Sequence, residues 1–89
     1  MGWIANELKA EFKGHQVVAQ FYAYGNKGKL YLDGLVVDQS ENIASKAIAA
    51  LRCQIKDGEQ VHVIEVYARN RVLGFFPYLE IFADSKKLA

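Results

Sequence analysis

Apolar residues near the start of the chain recur at helical spacing. Ile4, Leu8 and Phe12 lie four residues apart between charged neighbours, a pattern typical of one face of a helix. Gly14 follows where a helix often ends, since glycine readily adopts the left-handed conformation of a C-terminal cap. The pattern therefore predicts a short helix over 3–13.

A second helical pattern lies in the middle of the chain and has a start signal. Asp38 stands at the N-cap position with Glu41 three residues later, which is the spacing of a capping box. Asp57 and Gly58 supply an end signal. The apolar residues on one face are Ile43, Ala44, Ala47, Ile48, Leu51 and Ile55. This segment predicts a helix over 39–56.

Four other segments are rich in β-branched and aromatic residues and are bounded by turn residues. They predict strands over 15–24, 29–37, 60–69 and 72–82. Residues 25–28 and 70–71 are the predicted turns of two hairpins. Gly34 inside a strand indicates a bulge or a close approach, and Pro77 breaks its strand or confines it to an edge because it has no N–H to donate. The polar tail, 84–89, is expected to fray.

Together these elements describe one α+β domain over residues 1–89, in the order α-β-β-α-β-β. Eighty-nine residues suffice for a single core. We expect a four-stranded, mainly antiparallel sheet with helix 39–56 packed on one face. The two ββ units do not match each other in sequence, so no internal repeat is expected.

Alternation along the strands assigns their side chains to the two faces of the sheet. One face is nearly free of charge and should form the core under helix 39–56. The other face mixes charged residues with aromatic and β-branched ones and holds all five tyrosines. A solvated face would carry threonine, lysine, glutamate and serine instead. The candidate interface or binding residues on this aromatic face are Tyr22, Tyr24, Tyr31, Glu65, Tyr67, Arg69, Phe76 and Tyr78.

Three interpretations of the aromatic face stay open. In the first, helix 3–13 lies across it and no function follows, although so short a helix covers part of a four-stranded sheet at best. In the second, the face is a protein interface, most simply that of a symmetric homodimer. In the third, the face binds a ligand.

The ligand interpretation has two forms. Tyrosines beside Asp33, Glu65 and Glu80 suit an organic cation, because ring faces and carboxylates both attract positive charge. Tyrosines beside Lys29 and Arg69 suit stacking on the bases of single-stranded RNA. The glycine and aromatic signature of sheet-based RNA readers is missing, which argues against the second form.

The sequence shows no constellation typical of an enzyme or a metal site. His15 and His62 are the two histidines and Cys53 is the single cysteine, and they lack the spacing of metal ligands. No serine lies in a nucleophile motif, and the glycines form no phosphate loop. We therefore expect no enzymatic activity, no metal and no cofactor.

Composition narrows the class of partner and the compartment. The net charge of +1 gives no positive field to collect nucleic acid, and 52% hydrophobic residues exclude a disordered chain. One cysteine allows no internal disulfide, and neither a membrane-spanning run nor a signal-peptide pattern is present. We expect a cytoplasmic location and no membrane partner, and the charge balance disfavours a nucleic-acid partner.

The sequence thus predicts a non-enzymatic interaction or accessory module. It is expected to form a homodimer, or to dock on another protein, through the aromatic face. The alternative is a domain that binds a small molecule, such as an organic cation, or a single-stranded nucleic acid on the same tyrosines.

Overall fold

The computed structural model describes residues 4–22, 27–41, 49–70 and 77–89, with the side chains of all but residues 4, 5, 69, 70 and 77. The eight strands are Ile4–Phe12 (β1), His15–Tyr22 (β2), Lys27–Leu32 (β3), Leu35–Ser40 (β4), Leu51–Asp57 (β5), Gln60–Asn70 (β6), Pro77–Ala83 (β7) and Lys86–Lys87 (β8). No helix occurs within these ranges. The described fold is all-β, and the predicted α+β class is wrong.

The strands form two antiparallel meanders in place of the single sheet that was expected. One sheet has the order β1-β2-β3-β4 and the other the order β5-β6-β7-β8. Two-residue turns at 13–14, 33–34, 58–59 and 84–85 connect successive strands. At 33–34, Asp33 and Gly34 both have positive φ (51° and 85°), and the turns at 13–14 and 84–85 share this feature. Such turns match the twist of the strands that they join.

The inner faces of the two sheets meet in one apolar core. The buried members from the first sheet are Val17, Ala19, Phe21 and Leu30. Those from the second sheet, together with Ala50 just before β5, are Leu51, Ile55, Ile64, Val66, Ala68, Leu79, Ile81 and Ala83. The predicted inward face is confirmed along 17–21 and 64–68, whereas Val36, also predicted to point inward, is exposed. The second sheet covers the face that was assigned to a helix.

The short helix predicted over 3–13 is wrong, because these residues form β1. A spacing of four residues fits a strand as well as a helix, since four is a multiple of the strand period of two. Leu8 and Phe12 are partly buried against the core together with Ala10, which lies between them. Gly14 does not cap a helix but forms the turn to β2, with a φ of 81°.

The long helix predicted over 39–56 is also wrong at both of its described ends. Strand β4 runs to Ser40 and β5 covers 51–57, while residues 42–48 lie outside the described part. Within β5, Leu51 and Ile55 are buried and their neighbours in the strand are exposed, which is the alternation of a strand. The Asp38 carboxylate caps no helix; it accepts hydrogen bonds from the backbone N–H of Gln39 (2.9 Å) and of Arg52 (2.8 Å).

Three strand boundaries also differ from the prediction. The strand predicted over 29–37 is two strands, because Asp33 and Gly34 form a turn in its middle. Pro77 is the first residue of β7, and β7 lies between β6 and β8 rather than at an edge. The predicted strand residues 72–76 lie outside the described part, so a break at Pro77 stays a prediction. The tail does not fray: after a turn it pairs with β7 as β8.

The two meanders repeat one register, contrary to the expectation of no repeat. Val17 lies opposite Leu32 in the first sheet, and Ile64 lies opposite Ala83 in the second, at matching steps from the following turn. Over the eight residues from His15 and from His62, the histidine alone is identical. The repeat is therefore one of backbone pairing and side-chain burial, with little trace in the letters.

Candidate interaction surface

The predicted aromatic face is divided between the two sheets. Tyr22 and Tyr31 lie on the outer face of the first sheet, opposite the core, whereas Tyr67 and Tyr78 lie on the outer face of the second. Because the inner faces pack together, these two outer faces point away from each other. A single surface made of all the tyrosines is therefore contradicted.

On the outer face of the first sheet, Tyr22 belongs to a chain of polar contacts. Its hydroxyl donates to Gln20 Oε1 (2.6 Å), and Gln20 Nε2 donates to Glu7 Oε2 (2.6 Å). Lys29 Nζ lies 5.5 Å from the centre of the Tyr22 ring. Hydrogen bonding with Tyr31, followed by partial burial, raises the pKa of Tyr22 to about 12. This face is occupied by contacts within the chain.

On the outer face of the second sheet, aromatic rings alternate with paired carboxylates. Tyr67 and Phe82 meet edge to face with ring centroids 5.4 Å apart. Arg52 Nε lies 3.7 Å from a Glu65 carboxylate oxygen. Lys87 Nζ lies 3.2 Å from a carboxylate oxygen of the neighbouring Glu80. The acids proposed to attract an organic cation thus already face cations of the chain.

Three other predicted site residues are described only in part or not at all. Arg69 lies in β6 opposite Tyr78, and its side chain is outside the described part. Tyr24 and Phe76 lie outside the described residues altogether. The interface role of the eight predicted residues stays a prediction.

Each meander is closed by the same clip between a histidine and an aspartate. In the first, Asp33 accepts hydrogen bonds from the backbone N–H of Gln16 (2.9 Å) and contacts His15 Nδ1 (2.7 Å). In the second, Asp84 accepts from the N–H of Val63 (2.9 Å) and contacts His62 Nδ1 (2.5 Å). Hydrogen bonding from the histidine, and then from the backbone N–H, lowers the pKa of both aspartates. This pairing of histidine with aspartate was not among the sequence predictions.

The two clips differ in what surrounds the imidazole. The His62 side chain is 12% exposed and meets the Phe12 ring edge to face at 5.1 Å, whereas the His15 side chain is 36% exposed. His62 Nε2 is buried and has no hydrogen-bond partner among the described residues. The His62 ring is held by the contact of Nδ1 with Asp84 and by its packing on Phe12.

In each meander an extra residue follows the clip, within β4 in the first and directly after β8 in the second. Leu30 pairs with Asp38 and Tyr31 with Val36, so Val37 is an extra residue that forms a β-bulge in β4. In the second meander, the N–H groups of both Leu88 and Ala89 donate to the carbonyl of Ile81 (2.7 and 3.3 Å), and Ile81 N–H donates to Ala89 (2.9 Å). Leu88 therefore occupies the position of Val37.

At the first two residues after the turn, the side chains of the two meanders are opposite in character, and at the third they differ in exposure. Lys86 and Lys87 follow the second turn and are exposed, and Leu88 packs partly against the core. The corresponding residues of the first meander are Leu35, Val36 and Val37, which are 72%, 49% and 41% exposed. We call Leu35–Val37 the β4 edge segment, because β4 is the last strand in the order of its sheet.

Other features of the described part offer little chemistry. An open cleft of about 380 Å³ is lined by Lys9, Ala10, Glu11, Gly14, Gln16 and Asp33. Burial raises the pKa of the free Cys53 thiol, which makes it a weaker nucleophile at neutral pH. No three histidine, cysteine or acidic residues of the described ranges converge as metal ligands.

The β4 edge segment was absent from the sequence predictions although one signal points to it. Asp33-Gly34 is a strong two-residue hairpin dipeptide when apolar strands flank it. Interpreting Gly34 as a bulge joined two strands into one and placed Val36 on the inner face. Interpreting it as a turn would have started a new strand at Leu35, with three consecutive aliphatic residues.

Comparison of the chain with protein-family models, with curated proteins and with solved structures finds no match. Among the described residues, no helix is long and apolar enough to cross a bilayer.

Proposed function

We propose that this chain is a non-enzymatic interaction module that self-associates, and that the β4 edge segment is its contact surface. The observation that supports this proposal is the contrast between Leu35-Val36 and Lys86-Lys87 at matched positions of the repeat. It replaces the aromatic face as the proposed surface, because the tyrosines are divided between two sheets.

An edge strand presents unpaired N–H and C=O groups that another strand can bind. Proteins protect such edges with lysines, bulges or very short strands. Strand β8 has two residues, both lysine, and so carries two of these protections. Strand β4 keeps a bulge at Val37 but exposes aliphatic side chains before it. An exposed aliphatic edge strand is a template for pairing with a strand of another chain.

A second copy of the chain is the partner that this surface fits best. The β4 edge segment is apolar and uncharged, so two copies present matching surfaces to each other. The net charge of +1 creates almost no repulsion between two copies. A partner with a different surface is not needed.

The expected dimer is weak. Burying an aliphatic side chain contributes about 2 kcal/mol when it is fully exposed beforehand. The three residues are roughly half exposed on average, so two copies gain on the order of 6 kcal/mol before edge hydrogen bonds are included. Association costs at least about 4 kcal/mol in lost freedom. Two backbone hydrogen bonds between the paired edges add about 2 kcal/mol. The net gain of roughly 4 kcal/mol corresponds to a Kd on the order of 1 mM.

Sedimentation velocity over a concentration series tests the proposal with substitutions taken from the repeat itself. The Leu35→Lys/Val36→Lys variant carries the residues that the second meander has at these positions. There Lys87 pairs with Phe82, as Val36 pairs with Tyr31, so the fold should accept the substitutions. We expect the wild-type chain to shift from monomer to dimer across the series and this variant to stay monomeric.

Val61→Lys is the matched control, because Val61 is 50% exposed and lies outside β4. The control should dimerise like the wild type. A wild-type chain that is monomeric throughout, or a control that loses the dimer as completely as the β4 variant, would contradict the proposal.

Ligand binding on the tyrosines is the weaker alternative, since Glu65 and Glu80 contact Arg52 and Lys87 of the same chain. A fluorescence titration with a quaternary amine or a single-stranded RNA that saturates, and that is lost in Tyr67→Ala, would favour it. We also propose a cytoplasmic location, supported by the free thiol of Cys53.

A further inference from the structure

We infer that two copies join by antiparallel pairing of β4 with β4, about a two-fold axis at Val36. This inference rests on the proposed self-association and specifies its geometry. The pairing would join the two copies of the first sheet into one continuous sheet of eight strands.

The backbone around the turn selects Val36 as the centre. In an antiparallel pair, hydrogen-bonded and non-hydrogen-bonded residue pairs alternate. Leu32 and Leu35 flank the two-residue turn and form the first pair, so the next residue, Val36, turns its N–H and C=O away from β3. Within the described residues no second strand pairs with β4 on this side, so these two groups can bind the same two groups of a second copy.

The second meander supports this assignment with its own hydrogen bonds. Ile81 and Ala89 exchange backbone hydrogen bonds in both directions, which marks them as a hydrogen-bonded pair. Phe82 and Lys87 form the alternate pair, and they occupy the positions of Tyr31 and Val36. Lys87 is therefore the protected counterpart of the residue at the proposed axis.

Side-chain placement fits an axis at Val36 better than one at the next residue. With the axis at Val36, Leu35 of one copy lies beside the bulged Val37 of the other, and the pairing ends before Asp38. With the axis at Val37, Glu41 would lie opposite Asp33, and two like charges would face each other directly.

The open part of the edge also ends where the pairing would end. The Asp38 carboxylate is already held by the backbone N–H groups of Gln39 and Arg52. Beyond that residue β4 approaches β5, so Leu35–Val37 is the stretch that a second strand can reach. A two-fold axis at Val36 places this stretch symmetrically.

Disulfide cross-linking tests the geometry separately from the dimer. Directly paired residues of antiparallel strands have Cα atoms about 5.5 Å apart, within the range that a disulfide spans. Cys53→Ala removes the native thiol, and Val36→Cys in that background places one thiol on the axis. Under a mild oxidant we expect most of this variant to become a covalent dimer at concentrations where the parent chain dimerises.

Two controls locate the axis. Leu35→Cys alone should cross-link at least tenfold more slowly, because its own copies lie diagonally apart, whereas a mixture of Leu35→Cys and Val37→Cys chains should cross-link with each other. Val61→Cys should remain monomeric. Circular dichroism of the reduced variants checks that each is folded.

The outcomes separate the two proposals. Dimers in sedimentation without a Val36→Cys cross-link would overturn the two-fold pairing and leave self-association standing. Absence of dimers from both experiments would overturn both. A cross-link of Val36→Cys that is no faster than that of Val61→Cys would also contradict the assigned axis.

Discussion

The two meanders of this chain share a backbone design and differ at their closing strands. Both have the same turn geometry, the same aspartate clip to a histidine, and a bulge at the same step after the turn. One closing strand begins with Leu35-Val36 and the other with Lys86-Lys87. Because the backbone is alike in the two meanders, they differ here mainly in the side chains on the edge strand.

This comparison shows that an exposed aliphatic residue is best judged against a matched position. Scattered exposed apolar residues are normal on protein surfaces. Val61 is half exposed, and its exposure alone carries no argument. Leu35 and Val36 differ because the same fold places solvated lysines at their counterparts, and those lysines show what an unengaged edge looks like here.

The largest expected effect tests whether the two halves share one core. Leu30 and Ile81 are fully buried and occupy matched positions. Leu30→Ala and Ile81→Ala should each lower the free energy of unfolding by about 3 kcal/mol. Urea denaturation followed by circular dichroism measures both. A large loss from one and a loss below about 1 kcal/mol from the other would break the comparison.

The next prediction transfers the adhesive edge to the second meander. The double substitution Lys86→Leu/Lys87→Val should create a second apolar edge. Glu80→Gln is added because Lys87 contacts the Glu80 carboxylate, which would otherwise lose this ion pair. With two adhesive edges, a chain can extend beyond a dimer. We expect species larger than dimers in light scattering at concentrations where the wild type is dimeric. A mixture no larger than a dimer would show that edge side chains do not decide association.

Acid stability distinguishes the two clips. The pKa of Asp33 and that of Asp84 are both lowered in the folded chain, so each carboxylate stabilises the fold above its unfolded pKa and this contribution is lost as pH falls. Wild-type stability should therefore drop below about pH 4. Asparagine tolerates positive φ but does not titrate. Asp33→Asn and Asp84→Asn should therefore each make the loss of stability with falling pH less steep.

The larger flattening is expected for Asp84→Asn, because its partner His62 is the less exposed histidine. Thermal melts between neutral and acid pH measure it. Equal slopes for the wild type and both variants would contradict a role of the clips.

The smallest effect concerns the outer face of the first sheet. Tyr31 corresponds to Phe82, so Tyr31→Phe makes the first meander resemble the second. Loss of the hydroxyl should lower the pKa of Tyr22 from about 12 toward its ordinary value of 10. Ultraviolet absorbance of the phenolate during an alkaline titration follows this change. An unchanged titration would mean that another contact raises the pKa of Tyr22.

Sequence patterns predicted the face assignments better than the element types. The alternation of Val17, Ala19 and Phe21 is visible in the letters and confirmed by burial. The helix predictions failed because Leu8 and Phe12, like Leu51 and Ile55, lie four residues apart, a spacing that helices and strands share. What decides between the two is the partner sheet, which a local pattern does not contain.

The repeat and the clips could not be predicted for a different reason. His15 lies far from Asp33 in the chain, and neither residue type is diagnostic without the register that joins them. Matched core positions of the two meanders share burial but not residue type. Phe21 pairs with Gly28 in the first sheet, and Ala68 pairs with Leu79 at the matched place in the second. The large side chain thus comes from opposite strands of the pair. Only pairing geometry reveals that these positions correspond.

Amide chemical shifts followed on dilution test the central claim most directly, because they report every backbone position at once. From about 1 mM to about 10 μM protein, we expect the largest changes at Leu35, Val36 and Val37, with Lys86 and Lys87 unchanged. Changes centred on Lys86 and Lys87, changes confined to the tyrosines of either outer face, or no change at all would contradict the account.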